Sequence, residues 1–295
     1  MNLLITGAWQ EAKEHFEEIE KLGHKVVFLQ QEKDALPIEE EWVEGVICNG
    51  LFLYHPIERF INLRYIQLTS AGFDRVDLKY VKEKEIAIKN ARGVYSIPMA
   101  EFVLARVLEQ YKRLETFRDQ QKEKTWNKIR DLLELFDKRV LIIGCGSVGT
   151  ECAKRFKAFG CEVVGVDVIP RMDKNYSCMV GLEMLDEQLA DADVIVLTLP
   201  LTYETRGLID GKRLSLIKKN GILVNIARGA IIDQKVLEEW EGIAILDVFE
   251  DEPLNRSSSL WKAENFLLTP HNSFVGEYNI NRLNKVIINN LMAIS

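Results

Sequence analysis

Three polar side chains in the second half of the chain each follow a run of apolar, β-branched residues. Arg228 comes after "GILVNIA", Glu252 lies in the turn "FEDEP" after "GIAILDV", and His271 comes after "NFLLTP". In an open parallel sheet, ligands bind beyond the carboxyl ends of the strands, so we expect these side chains to gather at one edge. An imidazole can give a proton to a carbonyl oxygen that is being reduced, near neutral pH. A guanidinium can hold a carboxylate in its planar fork.

Each of these side chains could also be a surface residue without a role in catalysis. A lone arginine after a strand is often a surface charge, and an acidic turn is often only solvated. Among the other histidines, His15 and His24 lie in or beside a charged N-terminal helix, where we expect them at the surface. His55 could line a pocket or turn a loop. The coincidence of a cation, a carboxylate and an imidazole at one edge favours the catalytic interpretation.

A glycine-rich loop precedes these residues. The run "RVLIIGCGSVG" places Gly144, Gly146 and Gly149 directly after an apolar run and before a helical pattern. Glycines at this spacing permit a tight turn, a close approach of the backbone to a pyrophosphate, and close packing of the helix on the strand. Asp167 ends the next run, where a carboxylate can bind the adenosine ribose and repel a 2′-phosphate. We therefore predict NAD. Arg171 keeps NADP as a less favoured alternative, and a purely structural glycine turn is the other.

Alternating strands and helices organise the rest of the chain. Residues 1–93 carry five short β-branched runs, and a second series of six runs follows, which predicts two α/β domains with parallel strands. A helical pattern from Ser96, with Pro98 in its first turn, connects the two series, and another closes the chain. The opening run "NLLITGAW" has one glycine and no matching acid, so we expect no nucleotide in the first domain. The predicted strands begin at Leu3, Lys25, Gly45, Tyr65, Ile86, Arg139, Glu162, Asp193, Gly221, Gly242 and Asn265.

The composition indicates a protein that acts on small molecules. A net charge of −7 and an isoelectric point near 5.4 argue against nucleic acid, whose phosphates are bound by clusters of Lys and Arg. The five cysteines form no group with metal-ligand spacing, so no metal is predicted. No apolar run approaches the roughly 18 residues of a membrane span, and the N-terminal residues lack the features of a signal peptide. We therefore expect a soluble, cytoplasmic protein without a membrane partner.

The ordered set of motifs resembles the NAD-dependent D-2-hydroxyacid dehydrogenase family. The second half carries "LIIGCGSVG", "TLPLTYETRGLID", "LVNIARGAIID", "LDVFEDEP" and "TPHNS". The first half carries "LTSAGFDRVD" and "NARGVYSIPMAEFVLARVL", so the resemblance covers nearly the whole chain. It implies an α/β fold with two domains: a flavodoxin-like substrate domain formed by residues 1–93 and 276–295, and an inserted Rossmann dinucleotide-binding domain formed by residues 94–275. It also implies a homodimer, because in the family the segment that contains the Pro98 helix contributes to the dimer interface.

The resemblance implies the reversible reduction of a 2-oxo acid by NADH to a D-2-hydroxy acid. His271 is expected to be the acid and base, Glu252 its carboxylate partner, and Arg228 the anchor of the substrate. Asp247 is expected near the nicotinamide carboxamide and the catalytic groups. The expected cofactor contacts are Gly144, Gly146, Ser147, Val148, Gly149, Asp167, Thr198, Leu199, Pro200, Thr205, Ala227 and Asp247.

The expected substrate contacts lie in the first domain. By the same resemblance, the backbone of Ser70, Ala71 and Gly72 holds the substrate carboxylate, and the loop "GLFLYHPIE" helps to shape the side-chain pocket. Phe52 and Tyr54 in that loop favour an apolar or aromatic side chain. The loop before Glu58 has no Lys or Arg to pair with a phosphate, which argues against a phosphoglycerate substrate.

Two other functions are compatible with the same fold. One is an interaction protein that senses NAD(H), as in corepressor relatives of the family, although no interaction tail is visible. The other is a different enzyme with an inserted NAD domain, such as a formate dehydrogenase or a hydrolase that uses NAD transiently. We find no additional active-site residues for these enzymes, so the dehydrogenase is the preferred interpretation.

Overall fold

The computed structural model describes residues 1–294, which divide into two compact units. Unit 1 consists of Met1–Tyr95 together with the segment that starts at Gly276, and unit 2 is Ser96–Val275. The predicted borders lie after residues 93 and 275, and those of the structure lie after residues 95 and 275. None of the helices in residues 1–294 is both long enough and apolar enough to cross a membrane.

Unit 1 is built on a parallel sheet of five strands in the order β2-β1-β3-β4-β5. This is the flavodoxin-like order, and its direction of winding reverses between β1 and β3. All five predicted strands are present, because each is a short apolar run bounded by polar or turn residues. The elements are β1 Asn2–Thr6, α1 Phe16–Lys21, β2 Lys25–Leu29, β3 Gly45–Cys48, β4 Tyr65–Leu68, α2 Leu78–Glu83 and β5 Ala87–Lys89.

Unit 2 begins with two helices that arise from one helical pattern. Helix α3 is Ser96–Lys112 and helix α4 is Leu114–Glu123. Between them, Arg113 has a φ of 47°, a left-handed conformation that interrupts the helix. The predicted helical pattern therefore divides in two. Helix α3 buries Val103, Val107 and Tyr111, whereas no residue of α4 is buried.

The remainder of unit 2 is a parallel sheet of seven strands in the order β12-β11-β10-β9-β6-β7-β8. This is the doubly wound Rossmann order with one further strand, and its winding reverses between β6 and β9. The elements are β6 Arg139–Ile143, α5 Ser147–Ala158, β7 Glu162–Val166, β8 Cys178–Val180, α6 Leu185–Asp191, β9 Val194–Leu197, α7 Gly211–Leu216, β10 Ile222–Asn225, α8 Gln234–Leu237, β11 Ile243–Leu246 and β12 Phe266–Leu268.

The prediction of six strands in this sheet is wrong, because β8 is a seventh. It is an edge strand of three residues that pairs only with β7, and none of its residues is buried. Its apolar run Cys178–Val180 is only three residues long, shorter than the roughly four to eight residues from which a strand is predicted. The central strands are different: in β6, Val140 and Ile142 pack on one face of the sheet, and Leu141 and Ile143 pack on the other.

The last helix of the described chain, α9 (Asn279–Met292), completes the core of unit 1. Its residues Leu283, Ile287 and Leu291 join the same buried cluster as residues of β1. The indole nitrogen of Trp9 donates a hydrogen bond to Oδ1 of Asn284 at 2.6 Å. The core of unit 1 is thus formed by two segments of the sequence, one that precedes unit 2 and one that follows it.

The histidine near the end of the first helical segment is not at the surface. His24 is only 5% exposed, and its burial lowers the pKa of its imidazole. The prediction of a surface position is therefore wrong for His24, because the chain turns directly into β2 at this point. His15 is partly exposed and stacks on Trp9 with ring centroids 5.2 Å apart.

Candidate active site

The three glycines of the loop after β6 have three different surroundings. Gly144 has a φ of 94°, and a Cβ there would lie 2.6 Å from the backbone nitrogen of Leu199. A Cβ on Gly149 would collide with the carbonyl oxygen of Gly144. A Cβ on Gly146, by contrast, would meet no heavy atom within 4 Å. The first and third glycines are therefore required by the fold, and the second leaves open space of the kind that a pyrophosphate approaches.

Helix α5 starts directly at this open space. Gly146 is its N-cap residue, and no side chain caps the helix. The first intrahelical bond runs from the N–H of Thr150 to the carbonyl of Gly146 at 2.9 Å. The first N–H groups of a helix have no intrahelical acceptor and favour anions, so the predicted contacts Ser147 and Val148 are suited to bind phosphate oxygens.

The carboxylate of Asp167 lies against the same loop. Its Oδ2 accepts a hydrogen bond from the N–H of Cys145 at 2.7 Å, and its Oδ1 accepts one from the N–H of Ile169 at 3.2 Å. The guanidinium of Arg171 donates to the carbonyl of Cys145. An acidic and a basic side chain therefore both reach the glycine loop, as the two cofactor hypotheses required.

The segment after β9 borders the glycine loop on its other side. Oγ1 of Thr198 donates to the carbonyl of Gly144 at 2.6 Å, and Leu199 is in contact with the same glycine. Further along, Oγ1 of Thr205 donates to the carbonyl of Pro200 at 2.7 Å, which closes a turn. The structure thus brings Thr198 and Leu199 to the predicted cofactor loop, and it places Pro200 and Thr205 in the adjoining turn.

Arg228 lies in a turn whose backbone is hydrogen-bonded to the buried side-chain amide of Asn225. Asn225, at the end of β10, is 1% exposed. Its Oδ1 accepts from the N–H of Ala227 at 3.0 Å, and its Nδ2 donates to the carbonyl of Arg228 at 2.9 Å. Arg228 as a whole is partly buried, and its guanidinium donates a hydrogen bond to the carbonyl of Ala227 at 2.7 Å. Sequence reasoning missed Asn225, because an asparagine at the end of a buried run has no distinctive spacing.

Gly229 allows the turn that carries Arg228 to pack closely against the turn that follows β11. A Cβ at Gly229 would overlap the backbone of Phe249 and Glu250, the residues that follow β11. Only a residue without a side chain permits so close an approach. Gly229 therefore fixes the separation between the turn that carries Arg228 and the turn that leads to Glu252. In the sequence, the glycine directly after Arg228 is the only sign of this contact, and it does not show that Phe249 and Glu250 are the residues contacted.

His271 and Glu252 form a pair at the carboxyl edge of the sheet. Nδ1 of His271 lies 2.7 Å from Oε2 of Glu252, and the two side chains are 40% and 35% exposed. Oε1 of Glu252 accepts a hydrogen bond from the N–H of Phe249 at 3.0 Å. The ring of Phe274 meets the imidazole edge-on, with centroids 5.8 Å apart. The imidazole is thus oriented on one side and accessible on the other.

Asp247 holds the turn that carries His271. It is 0% exposed, and Oδ1 accepts from Oγ1 of Thr269 at 2.6 Å and from the N–H of Asn272 at 2.8 Å. Its Oδ2 accepts from the N–H of Ser273 at 2.9 Å, and its carbonyl accepts from the N–H of His271 at 2.8 Å. His271 has a left-handed φ of 49°. Asp247 therefore positions the imidazole; sequence reasoning expected it near the catalytic groups but missed the hydrogen bonds by which it holds this turn. Its contact with the nicotinamide stays a prediction.

The loop that contains Ser70, Ala71 and Gly72 follows β4 in unit 1. Oγ of Ser70 donates to the carbonyl of Gly72 at 3.0 Å, and the amide of Asn90 donates to the carbonyl of Ala71 at 2.6 Å. The N–H of Ala91 donates to the carbonyl of Ser70 at 2.9 Å. All three carbonyl oxygens are engaged inside unit 1, so the loop has a fixed shape. Its contact with a substrate carboxylate stays a prediction.

The two aromatic residues predicted for the substrate pocket have different surroundings. Phe52 is partly buried and packs on the core of unit 1, with its ring 5.9 Å from that of Phe60 in an edge-on arrangement. Tyr54 is 57% exposed. Of these two rings, that of Tyr54 is the more accessible to solvent. The apolar pocket stays a prediction.

Comparison with known proteins decides the family. The model of the D-isomer specific 2-hydroxyacid dehydrogenase NAD binding domain matches residues 104–273, more than half of the chain. The chain belongs to this family. The predicted family, α/β fold class and NAD cofactor are thereby confirmed, and the predicted enzyme class is that of the family. The glycine loop, α5 and Asp167 all lie within the residues that match the NAD binding domain.

Relatives within the family differ in length and in name. D-3-phosphoglycerate dehydrogenase of Methanocaldococcus jannaschii is 36% identical over 224 residues, which cover 73% of this chain and 42% of that protein. Glyoxylate reductase of Korarchaeum cryptofilum is 30% identical over 278 residues, which cover 88% of this chain and 84% of that protein. The chain thus spans about two fifths of the length of the first relative and most of the second.

A solved structure shows the same fold over the whole chain. The D-isomer specific 2-hydroxyacid dehydrogenase family protein from Aeromonas salmonicida has a TM-score of 0.82 and is 28% identical. The match covers 99% of this chain and 94% of that protein. Both sheets described above are therefore those of a two-domain member of this dehydrogenase family.

Proposed function

We propose that the protein reversibly reduces a 2-oxo acid to a D-2-hydroxy acid with NADH. The observation that carries this proposal is the 2.7 Å contact between Nδ1 of His271 and Oε2 of Glu252. The pair lies at the carboxyl edge of the same sheet as the turn of Arg228, in a chain that belongs to a dehydrogenase family. The D configuration of the product rests on the family.

The pairing with Glu252 defines the proton that His271 delivers. A carboxylate only accepts hydrogen bonds, so Nδ1 of His271 carries a hydrogen and donates a hydrogen bond to Oε2 of Glu252. Nε2 is then the nitrogen that holds the exchangeable proton. The glycine loop and the start of α5 would hold NADH, which when bound would supply the hydride for the carbonyl carbon of the 2-oxo acid. The carbonyl oxygen takes the proton from Nε2 of the imidazolium and becomes a hydroxyl, and neutral imidazole remains hydrogen-bonded to Glu252. The reverse reaction uses the same imidazole as base.

Arg228 is the proposed anchor for the substrate. Its guanidinium has a permanent positive charge and a planar set of donors that match a carboxylate. The bonds from Asn225 fix the turn, and the contact of Gly229 with Phe249 and Glu250 fixes its separation from the next turn. An anchor that is held in this way lowers the cost of orienting the 2-oxo acid.

The structure around the glycine loop supports NAD over NADP as the main cofactor. The carboxylate of Asp167, bonded to the N–H of Cys145, supplies negative charge and acceptor oxygens beside the loop. Arg171 reaches the same loop and provides the charge that a 2′-phosphate would need. We therefore propose preferential use of NADH, with NADPH as a weaker cofactor. A homodimer and a cytoplasmic location stay predictions.

The first experiment is a substrate panel with purified protein. NADH oxidation is followed with glyoxylate, pyruvate, hydroxypyruvate, 2-oxoisocaproate and phenylpyruvate, and NADPH is tested in parallel. Activity with the branched or aromatic acids would support both the dehydrogenase and the apolar pocket. Activity confined to glyoxylate would keep the enzyme and refute the pocket. If NADH binds but no 2-oxo acid is reduced, the proposal fails and a protein that senses NAD(H) takes its place.

A further inference from the structure

The carboxylate of Glu32 binds to the ends of two different strands in unit 1. Its Oε1 accepts hydrogen bonds from Oγ1 of Thr6 at 2.8 Å and from the N–H of Asn49 at 2.6 Å. Its Oε2 accepts one from the N–H of Gly50 at 2.7 Å. Thr6 is the last residue of β1, and Asn49 and Gly50 directly follow β3. One side chain from the loop after β2 thus joins the ends of β1 and β3.

The carboxylate of Glu32 lies beyond the carboxyl ends of two strands between which ligands commonly bind. Strands β1 and β3 are the neighbours between which the winding of unit 1 reverses. In open α/β sheets, the crevice beyond the carboxyl ends of such strands is where ligands bind. Two successive backbone N–H groups, those of Asn49 and Gly50, face into this crevice and bind an anion. In unit 1 that anion is supplied by the chain itself.

Glu32 also holds the far end of the segment that leaves β3. Nε2 of His55 donates a hydrogen bond to the carbonyl of Glu32 at 3.0 Å. Residues 49–55 are therefore fixed at their beginning by the side chain of Glu32 and at their end by its backbone. Between these points, Phe52 packs inward on Phe60, and the segment presents Tyr54 to solvent.

The 49–55 segment lies beside the loop of residues 70–72. Strands β3 and β4 are neighbours, and the N–H of Thr69 donates to the carbonyl of Cys48 at 2.9 Å. Both loops therefore leave the same edge of the sheet from adjacent strands. A change in the shape of the 49–55 segment alters the surface beside residues 70–72, whereas those residues keep their own bonds to Asn90 and Ala91.

We propose that Glu32 is a positioning residue that closes the crevice of unit 1 and fixes the shape of the 49–55 segment. Through that segment, Glu32 determines which substrate side chains are accepted, a consequence that rests on the function proposed above. The proposal separates side-chain selection from proton transfer, because the four hydrogen bonds of Glu32 described above all lie within unit 1 and the proposed proton donor belongs to unit 2.

Amide hydrogen exchange tests the structural half of the proposal without any activity. In Glu32→Gln, the amide group keeps the size of the carboxylate but has one acceptor oxygen in place of two. We expect the amides in peptides that contain residues 49–55 to exchange at least about tenfold faster. Hydrogen bonds to a charged acceptor are stronger than those between neutral groups, so their loss makes local opening of this segment more frequent. Thr6→Val removes one donor and should give a smaller increase.

The matched control is Glu44→Gln. Glu44 is also a carboxylate of unit 1 that binds a backbone N–H, that of Asn2 at 2.8 Å, but it does so at the amino end of β1. We expect this variant to leave exchange in the 49–55 segment unchanged. Equal exchange of this segment in the wild type, Glu32→Gln and Thr6→Val would overturn the proposal.

Kinetics test the consequence for the substrate. In Glu32→Gln we expect KM for phenylpyruvate to rise roughly tenfold or more, since small losses of side-chain fit change discrimination by this amount. The kinetics with glyoxylate, which has no side chain, and the Kd for NADH should be those of the wild type. A loss that is the same for both acids, or that Glu44→Gln reproduces, contradicts selection by Glu32. If the wild type reduces no 2-oxo acid and exchange still changes, the proposed function fails and the closure by Glu32 remains.

Discussion

Replacement of Gly229 by alanine tests whether the site depends on the close approach of two turns. The added Cβ would lie well inside the 3.0 Å that real Cβ atoms keep from other atoms. Its neighbours are backbone atoms of Phe249 and Glu250, so no rotation of a side chain relieves the overlap. The turn that carries Arg228 must therefore move away from the turn that leads to Glu252, by about 1 Å.

The size of the effect follows from this displacement. A misplacement of about 1 Å at a reacting or anchoring group can lower the rate about 100-fold, which corresponds to roughly 2.7 kcal/mol of transition-state stabilisation. Forcing an extra methyl group into a packed site destabilises the fold by about 1–3 kcal/mol. We therefore expect Gly229→Ala to be folded, less stable to heat, and about 100-fold lower in kcat/KM for the preferred 2-oxo acid.

The assay compares this variant with Gly211→Ala in the same unit. At Gly211 the new Cβ would meet a methyl carbon of Val236 at 2.9 Å, and a side chain can turn away. Initial rates are measured at saturating NADH, the Kd for NADH by fluorescence, and stability by thermal unfolding. If Gly229→Ala is as active as Gly211→Ala, the turn is compliant and the reasoning about the position of Arg228 is wrong.

Three other expectations concern single groups. His271→Gln should lower turnover roughly 10²–10⁴-fold with an unchanged Kd for NADH, and near-normal turnover would exclude His271 as the acid and base. Asp167→Ala should narrow the ratio of kcat/KM with NADH to that with NADPH, whereas an unchanged ratio would show that this carboxylate does not distinguish the cofactors. Iodoacetamide should label Cys178 alone in the folded protein, because it is the exposed thiol and burial raises the pKa of the other four, that of Cys145 to about 11. Mass spectrometry would reveal comparable labelling of a second thiol, which would contradict this.

The features that sequence reasoning predicted are local ones. The strands of both sheets, apart from β8, are short apolar runs bounded by turn residues, and such runs are visible in the sequence. The glycine loop was visible for the same reason, since Gly144, Gly146 and Gly149 lie within six consecutive residues. The order of the motifs along the chain identified the family.

The features that sequence reasoning missed depend on contacts between distant residues. Asn225 and Asp247 appear in the sequence as polar residues at the ends of apolar runs, and only the fold shows that they hold the turns of Arg228 and His271. Glu32 lies 17 residues before Asn49, and no spacing rule connects them. His24 was misjudged because a charged neighbourhood in the sequence does not reveal what packs over it in space.

The pairing of Trp9 with Asn284 has a consequence for synthesis on the ribosome. The two residues are 275 positions apart, and α9 supplies Leu283, Ile287 and Leu291 to the cluster that contains β1. As translation proceeds, unit 2 emerges in full before α9 exists, so it can fold first. Meanwhile the nascent N-terminal sheet keeps an apolar face uncovered, at the stage when chaperones bind such surfaces. Its completion requires the late closure of a very long loop, so we expect this closure to be the slow step of folding and the one most exposed to aggregation.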